Sequence, residues 1–404
     1  MARSHRSPTT TTLSRRNFLI SGTFLAGAFV TAPILSANGK TPAPAQAAVD
    51  AGHLDALIHK AISTHAAPGI ALAVWQNGRT IYSQTAGIAN LETGAKVLGS
   101  SVFRIGSLSK QFSGALVMML ASQGKLSLSD PASKHLPFLD GHEPFTILEL
   151  LNHTAGVNDG DYDTKGVDPR SQIEQAKRIS EQKPFFDFPP GTAWLYSNAN
   201  YILIGAIVEK VTGKSLSDAA ASMLFEPLHL PSTAFDAPSE VVEGRVSGYA
   251  PTDVPERPFE NAEYLDVRFA GAAGGMRSTA ADLCRWHHAL FQGDALPAAW
   301  REKMLEPGRL RNGALAGSNR FSANDKMMGD TQYGVGLMLD RSTKDGSLIA
   351  GHHGGINGFA AYLASHPSSG LGYAVLCNAD THPGLPLRDI RREVFRDVLR
   401  PIPT

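Results

Sequence analysis

The 404-residue sequence has only two cysteines, Cys284 and Cys377, and no excess of charge of either sign. Two cysteines exclude a disulfide scaffold and a structural zinc site built on cysteine. Each follows a leucine in an apolar context, which favours two buried thiols over a disulfide between them. Charged residues make up 18% of the chain, below the usual share of about 25%. This composition is typical of a core-rich globular protein.

The balance of 37 basic and 37 acidic residues hides an uneven distribution. The first 47 residues contain five basic residues and no acid, so residues 48–404 contain 32 basic and 37 acidic residues, a net charge of −5. A protein that binds nucleic acid shows a basic patch or a high pI. We therefore expect no nucleic-acid partner.

Residues 1–47 are predicted to be a twin-arginine signal peptide. Arg15 and Arg16 precede a diluted apolar stretch over 18–35, and Ala45-Gln46-Ala47 has the small-x-small form of a cleavage site. The alternative is a membrane anchor, since about 18 apolar residues can just span a bilayer. We expect cleavage, passage through the twin-arginine export machinery, no stable membrane anchor, and a periplasmic or secreted mature protein.

Strand patterns lie at both ends of the mature chain, and helical patterns fill its middle. Ile70–Trp75 and Thr80–Thr85 flank Asn77-Gly78, which predicts a hairpin because a type I′ turn needs positive φ at both central residues. A second hairpin is predicted over Phe359–His366 and Leu371–Asn378. These patterns predict an α/β fold with one antiparallel sheet, terminal helices and a helical insertion.

The predicted mature domain covers residues 48–404. Its sheet subdomain is expected at about 50–105 and 331–404, and its helical subdomain at about 106–330.

The candidate nucleophile is Ser107, in the sequence Ser107-Leu108-Ser109-Lys110. The apolar run Leu116–Leu120 predicts that this motif begins a buried helix, on which residues i and i+3 share a face. Burial disfavours the charged form of Lys110, so that this side chain can accept the serine proton. The unpaired N–H of Ser107 can bind an oxyanion. Taken alone, the motif favours a capped helix with a snorkelling lysine.

Two further motifs change that interpretation. Tyr196 and Asn198 lie on a loop entering a helix, where tyrosine can relay protons and asparagine offers a donor and an acceptor. Their alternative roles are a packing ring and a helix N-cap. The run His352-His353-Gly354-Gly355 is expected at the end of a strand, where glycine lets a substrate approach and the Gly355 N–H can be a second oxyanion donor.

This ordered set resembles the serine β-lactamase and penicillin-binding superfamily, in its branch of class C β-lactamases, D-alanyl-D-alanine carboxypeptidases and esterases. That branch has Ser-x-x-Lys, Tyr-x-Asn and His/Lys-x-Gly in this order. Residues 150–156 and 274–279 resemble its flanking phrases, and the similarity covers about residues 52–400. It implies a β-lactamase/transpeptidase-like fold, with an antiparallel five-stranded sheet flanked by helices and a mainly helical domain.

The resemblance also implies catalytic roles. Ser107 is the acylated nucleophile, and Lys110 and Tyr196 share the proton transfers. Asn198 orients the amide or ester side of the substrate.

On the strand, the resemblance implies that His352 helps to hold Tyr196 and the substrate. His353 and Gly354 are implied to bind the substrate. The N–H groups of Ser107 and Gly355 are implied to form the oxyanion hole. His353 stands where the family often has a hydroxyl that binds the substrate carboxylate, which argues against ordinary penicillin recognition. Histidine in place of lysine at position 352 argues against an efficient class C β-lactamase.

No metal or cofactor is predicted. The neighbouring histidines of His287-His288 and of His352-His353 diverge on a helix or strand, and the sequence has no His-Glu-x-x-His. Thr212-Gly213-Lys214-Ser215 lacks the first glycine of a P-loop and fits a helix C-cap followed by an N-cap.

The sequence predicts an exported serine hydrolase that forms an acyl-enzyme on amide or ester bonds, with D-amino-acid peptides or small esters as substrates. Two alternatives stay open. One is a true class C-type β-lactamase, and the other is a penicillin-binding sensor or scaffold without turnover.

Overall fold

The computed structural model describes residues 49–160, 164–322, 330–342 and 344–399. The predicted signal peptide lies outside these ranges. Thirteen strands are found in them: β1 Gly69–Gln76, β2 Arg79–Asn90, β3 Ala95–Lys96, β4 Phe103–Arg104, β5 Ala234–Phe235, β6 Tyr249–Pro251, β7 Phe259–Asn261, β8 Met276–Ser278, β9 Gln332–Tyr333, β10 Met338–Arg341, β11 Leu348–Ile356, β12 Phe359–His366 and β13 Leu371–Cys377.

The same ranges contain twelve α-helices, some of a single turn. They are α1 Ala51–Ser63, α2 Ser109–Ser122, α3 Ala132–His135, α4 Ile147–Leu151, α5 Gln172–Ser180, α6 Asn198–Thr212, α7 Leu216–Ala220, α8 Gly271–Gly274, α9 Ala280–Phe291, α10 Ala298–Met304, α11 Leu387–Val394 and α12 Arg396–Leu399. A 3₁₀ turn, Gly106–Leu108, leads directly into α2.

The main sheet is antiparallel and has the strand order β3-β2-β1-β13-β12-β11-β10-β9. This confirms the expected fold class, but the sheet has eight strands instead of five. Five strands, β1, β2, β11, β12 and β13, have seven to twelve residues each. The three extra strands have two to four residues each; β3 and β9 form the two edges of the sheet, and β10 lies next to β9.

Both predicted hairpins form. In the turn between β1 and β2, Asn77 has φ 50° and Gly78 has φ 75°, as a type I′ turn requires. The second hairpin pairs β12 with β13 from Ala360–Cys377 to His366–Leu371. Sequence signals at these two turns were therefore sufficient to locate the central strands.

Both faces of the sheet are covered, which explains why all eight residues of β1 are buried. Ile70, Leu72 and Val74 belong to a core with the terminal helices α1, α11 and α12. Ala71, Ala73 and Trp75 face a larger core that includes α2, α6 and α9. The alternation of side chains along a strand sends successive residues to these two cores.

Both cysteines are free and buried, which confirms the prediction of two thiols. Within the described ranges, no helix combines the length and apolar content needed to cross a membrane.

Candidate active site

Ser107 lies in the tight turn between β4 and α2. Its neighbour Gly106 has φ 51°, and a Cβ there would lie 2.7 Å from the carbonyl oxygen of Gly355. The Ser109 hydroxyl donates to the Gly106 carbonyl at 2.7 Å and accepts the Met276 N–H at 3.1 Å. Glycine is therefore required for a close contact with β11, and this contact fixes the position of the half-buried Ser107.

Lys110 lies one turn further along and is fully buried. Its Nζ is 3.2 Å from Ser107 Oγ, 2.8 Å from Asn198 Oδ1 and 2.8 Å from the carbonyl oxygen of Ala273. Burial lowers the pKa of Lys110 to about 7, against an opposing effect of Asp159. A substantial fraction of Lys110 is therefore neutral at pH 7, with its nitrogen beside the serine hydroxyl.

Tyr196 lies two residues before α6, with its hydroxyl buried. The Lys110 Nζ is 4.7 Å from the centre of its ring. The hydroxyl forms no hydrogen bond of normal geometry with any described residue. Burial raises the pKa of Tyr196, the Ser107 hydroxyl opposes this rise, and Asp159 adds to it. Tyr196 is therefore a neutral phenol at neutral pH, with a proton that it can give.

Asn198 is the first residue of α6, and Ser197 is its N-cap. The Asn198 side chain is oriented at both ends, because Oδ1 accepts from Lys110 and Nδ2 donates to Asp159 Oδ2 at 3.1 Å. Asp159 is an exposed residue that the sequence analysis missed. It follows the family-like phrase 150–156, but its proximity to Asn198 depends on a contact about 40 residues away in the chain, so no local pattern indicates it.

The His352-His353-Gly354-Gly355 run lies at the end of β11, as expected, and the strand continues through both glycines to Ile356. Pairing of Gly354 with Ala361 and of Gly355 with Ala360 extends the strand through both glycines. The weak strand propensity of glycine hid this continuation in the sequence.

The two expected oxyanion donors lie close together. A Cβ on Gly354 would be 2.0 Å from the carbonyl oxygen of Ile105 and 3.2 Å from the Ser107 nitrogen. A Cβ on Gly106 would be 2.8 Å from the Gly355 nitrogen. A Cβ on Gly355 itself would have no atom within 4 Å, so this residue borders open space. Space beside the two N–H groups is what an oxyanion site requires.

His352 is buried and makes its side-chain hydrogen bond with Tyr333, whose hydroxyl is 3.0 Å from Nε2. The ring of Tyr196, which His352 was expected to hold, lies 6.0 Å away between centroids and only packs against it. Nδ1 faces the carbonyl oxygen of His353 and so carries the proton. Burial lowers the pKa of His352 far below its usual value, which makes this histidine neutral. The side chain of His353 is exposed.

His153 packs behind Tyr196. It is fully buried, and its ring centroid lies 4.5 Å from that of Tyr196. Its Nδ1 is 3.3 Å from the Ser197 nitrogen and 3.2 Å from Asn200 Nδ2. One imidazole thus joins the loop after α4 to the start of α6. The described residues contain no group of three or more side chains placed to hold a metal ion.

The structure therefore brings together Ser107, Lys110, Tyr196 and Asn198, with Gly354 and Gly355 beside them. A family model described as Beta-lactamase matches residues 54–395. The chain is 31% identical to "Penicillin-binding protein 4" from Amycolatopsis lactamdurans, over 83% of this chain and 86% of that protein. It is 28% identical to "Beta-lactamase" from Escherichia coli (strain K12), over 77% of this chain and 84% of that protein.

The fold is also similar to that of a solved D-stereospecific amidohydrolase from Streptomyces sp.. The TM-score is 0.67 and the sequence identity is 27%, with 85% of this chain and 98% of that one covered. Because the family match extends over most of the chain and the fold agrees with it, this protein belongs to the β-lactamase family and is a serine hydrolase.

Proposed function

We propose that this protein is an exported hydrolase that forms an acyl-enzyme on Ser107 and cleaves amide or ester bonds of D-amino-acid peptides or small esters. The observation that carries the proposal is the buried Lys110 amine, which lies 3.2 Å from Ser107 Oγ and has a pKa of about 7. A base that is partly neutral at pH 7 can take the serine proton without a large energetic cost.

In the first step, neutral Lys110 accepts the Ser107 proton while Oγ attacks the carbonyl carbon. The oxyanion that forms lies at the N–H groups of Ser107 and Gly355, which stabilise its charge. The Tyr196 phenol then gives its proton to the leaving nitrogen or oxygen, and Lys110 returns a proton to the phenolate. Water later attacks the acyl-enzyme, and the second product is the carboxylic acid.

The substrate class is supported by two observations. The fold is that of an amidohydrolase described as D-stereospecific. The exposed His353 provides no hydroxyl at the position from which the family often binds a carboxylate. β-Lactams are therefore expected to be weak substrates. A true class C-type β-lactamase is the second candidate, because the chain is 28% identical to a relative described as a β-lactamase.

Intact-mass measurements over time distinguish turnover from permanent acylation. The mature enzyme is incubated with a fluorescent penicillin, with D-amino-acid anilides and with chromogenic esters, and the Ser107→Ala variant is the control. A transient adduct with release of product supports the hydrolase. A permanent penicillin adduct without turnover of any substrate would instead identify a sensor, and Ser107-independent hydrolysis would refute the mechanism.

Export is proposed from the sequence of residues 1–47. The double variant Arg15→Lys with Arg16→Lys should accumulate as a precursor in the cytoplasm, because the twin-arginine machinery reads that pair. Undiminished export of the double variant would contradict the proposal.

A further inference from the structure

Asp159 is a carboxylate held in place at the edge of the catalytic cluster. Its Oδ1 accepts the Ala199 N–H at 2.8 Å and the Ser197 hydroxyl at 3.3 Å, and its Oδ2 accepts from Asn198 Nδ2 at 3.1 Å. A carboxylate has about four acceptor positions. The backbone N–H of Asn198 also interacts with this carboxyl group, so the four positions are filled by uncharged donors. A charged donor that comes from solvent to this exposed side chain would take the place of one of them.

No described residue neutralises Asp159 through an ion pair. The nearby cation is Lys110, on which Asp159 exerts a direct electrostatic effect. The Asp159 charge also reaches Tyr196. Once Lys110 is neutral, as catalysis requires, no described cation balances the negative charge of Asp159.

Asn198 shows which substrate groups this charge favours. Its Oδ1 is taken by Lys110, and its Nδ2 donates to Asp159. A carbonyl oxygen next to the scissile bond, such as that of an N-acyl group, would compete with Asp159 for the same N–H donors and meet its negative charge. A protonated amine in that place would instead donate a charge-assisted hydrogen bond to the carboxylate, which is stronger than the bond of the uncharged donor it replaces.

We propose that Asp159 binds the free α-ammonium group of the substrate, so that the enzyme acts on the carbonyl of an N-terminal D-amino acid in an amide or ester and disfavours N-acylated substrates. The inference rests on the proposed function, because it assumes that Ser107 is acylated. It identifies the substrate class as D-aminoacyl compounds with an unblocked amine, which excludes penicillins and other N-acylated compounds as preferred substrates.

The direct test compares substrates that differ only at the amine. The values of kcat/KM are measured at pH 7.5 for D-alanine p-nitroanilide and its N-acetyl derivative, and for the same pair made from D-phenylalanine. We expect the free amine to be preferred by about 10- to 100-fold, the range of one hydrogen bond to a charged group. The preference should fall above about pH 8, where an α-amino group loses its proton and the N-acetyl compound does not titrate.

Asp159→Asn separates ammonium binding from a positioning role. Asparagine keeps an acceptor for the Ala199 N–H but removes the charge. We expect the preference for the free amine to fall at least about tenfold, with a larger loss for the free-amine substrate than for its partner. Asp187→Asn is the matched control. Asp187 accepts a hydrogen bond from Asn158 Nδ2 at 2.6 Å, and among the described residues no side-chain hydrogen bond or ion pair links it to Ser107, Lys110, Tyr196 or Asn198, so the preference should be unchanged.

The outcomes are distinct. Equal losses for both substrates in Asp159→Asn would show that Asp159 only positions Asn198, and would overturn the inference. A second outcome is that the enzyme hydrolyses p-nitrophenyl butyrate through Ser107 but shows no preference for free amines, or no activity on either anilide. This would also overturn the inference and leave the proposed function standing. If the unsubstituted enzyme shows no Ser107-dependent hydrolysis of any of these substrates, both the inference and the proposed function are overturned.

Discussion

Of the serines that have a nitrogen base within hydrogen-bond distance, Ser107 and Ser365 make an instructive pair, because only Ser107 lies in a reactive setting. Ser107 has Lys110 Nζ at 3.2 Å. Ser365, in β12, has His287 Nδ1 at 2.8 Å, and His287 Nε2 lies 2.8 Å from Gln111 Oε1. The second group has the connectivity of a serine–histidine–acceptor triad. Contact between a hydroxyl and a base therefore does not by itself identify a nucleophile.

Access and basicity separate the two groups. Ser365 is 3% exposed, and a Cβ on Gly372 would lie 2.3 Å from its hydroxyl, which leaves no room for a substrate carbonyl. Burial lowers the pKa of His287 to about 3, far below the value that suits a base at neutral pH. Ser107 lies beside two N–H groups and open space, with a base of pKa about 7.

Alanine substitution at the two serines should give opposite results, with the largest effect at Ser107. Ser107→Ala should lower kcat for ester hydrolysis by at least about 10³-fold, because the nucleophile is lost. Ser365→Ala should keep kcat within about twofold and lose about 1–3 kcal/mol of unfolding free energy, because His287 Nδ1 is left without a donor. Steady-state kinetics and urea titrations of both variants check this. If Ser365→Ala folds normally but loses activity, the conclusion that Ser365 takes no part in catalysis is wrong.

Lys110→Met should lower kcat/KM by about 10²- to 10⁴-fold, the usual contribution of a general base. In the unsubstituted enzyme, kcat/KM for an uncharged ester should rise with pH through about 7, since Lys110 acts when neutral. His153 and His352 do not titrate there, because burial lowers their pKa values well below the ordinary value. The rates are measured from pH 5.5 to 8.5 with p-nitrophenyl butyrate. A flat profile, or the same rise in Lys110→Met, would show that Lys110 is not the base.

Local signals explain which parts were predictable. Ser107 and Lys110 are three residues apart, so helix geometry alone brings them together. The Asn77-Gly78 turn and the end of α6 at Gly213, with φ 66°, also follow from the conformational preferences of two or three residues.

Long-range contacts explain what the sequence did not reveal. The position of Asp159 depends on the start of α6, and His352 bonds Tyr333 on a short edge strand instead of Tyr196. The glycines of β11 are in a strand because they pair with β12, and their local propensity opposes this conformation. In each case the partner is chosen by the tertiary fold.

The buried side chain of His287 should lower the free energy of unfolding as the pH becomes acidic. The pKa of His287 is about 3 in the folded protein and ordinarily 6.5, so between these values the unfolded chain binds the additional proton. Its contribution is complete above pH 6.5 and is lost as the pH falls, by about 2 kcal/mol at pH 5. Urea unfolding at pH 7 and pH 5 should show a smaller acid loss in His287→Gln than in the unsubstituted protein. His53→Gln, at an exposed position of α1, is the control and should not reduce that loss.

The smallest expected effect concerns the contribution of Asp159 to the pKa of Lys110, for which His287 has no counterpart. Asp159 raises the pKa of Lys110 against the effect of burial, whereas burial alone accounts for the low pKa of His287. Asp159→Asn should therefore lower the pKa of Lys110 and move the rise of kcat/KM to lower pH. At pH 6 the rate relative to its plateau should increase about two- to threefold, an effect of the order expected when one nearby charge is removed. Because the ester used is uncharged, this shift is independent of ammonium binding, and Asp187→Asn should not produce it. A profile of Asp159→Asn that coincides with the unsubstituted one would mean that burial alone sets the basicity of Lys110, as it does for His287, and that the two groups differ only in access.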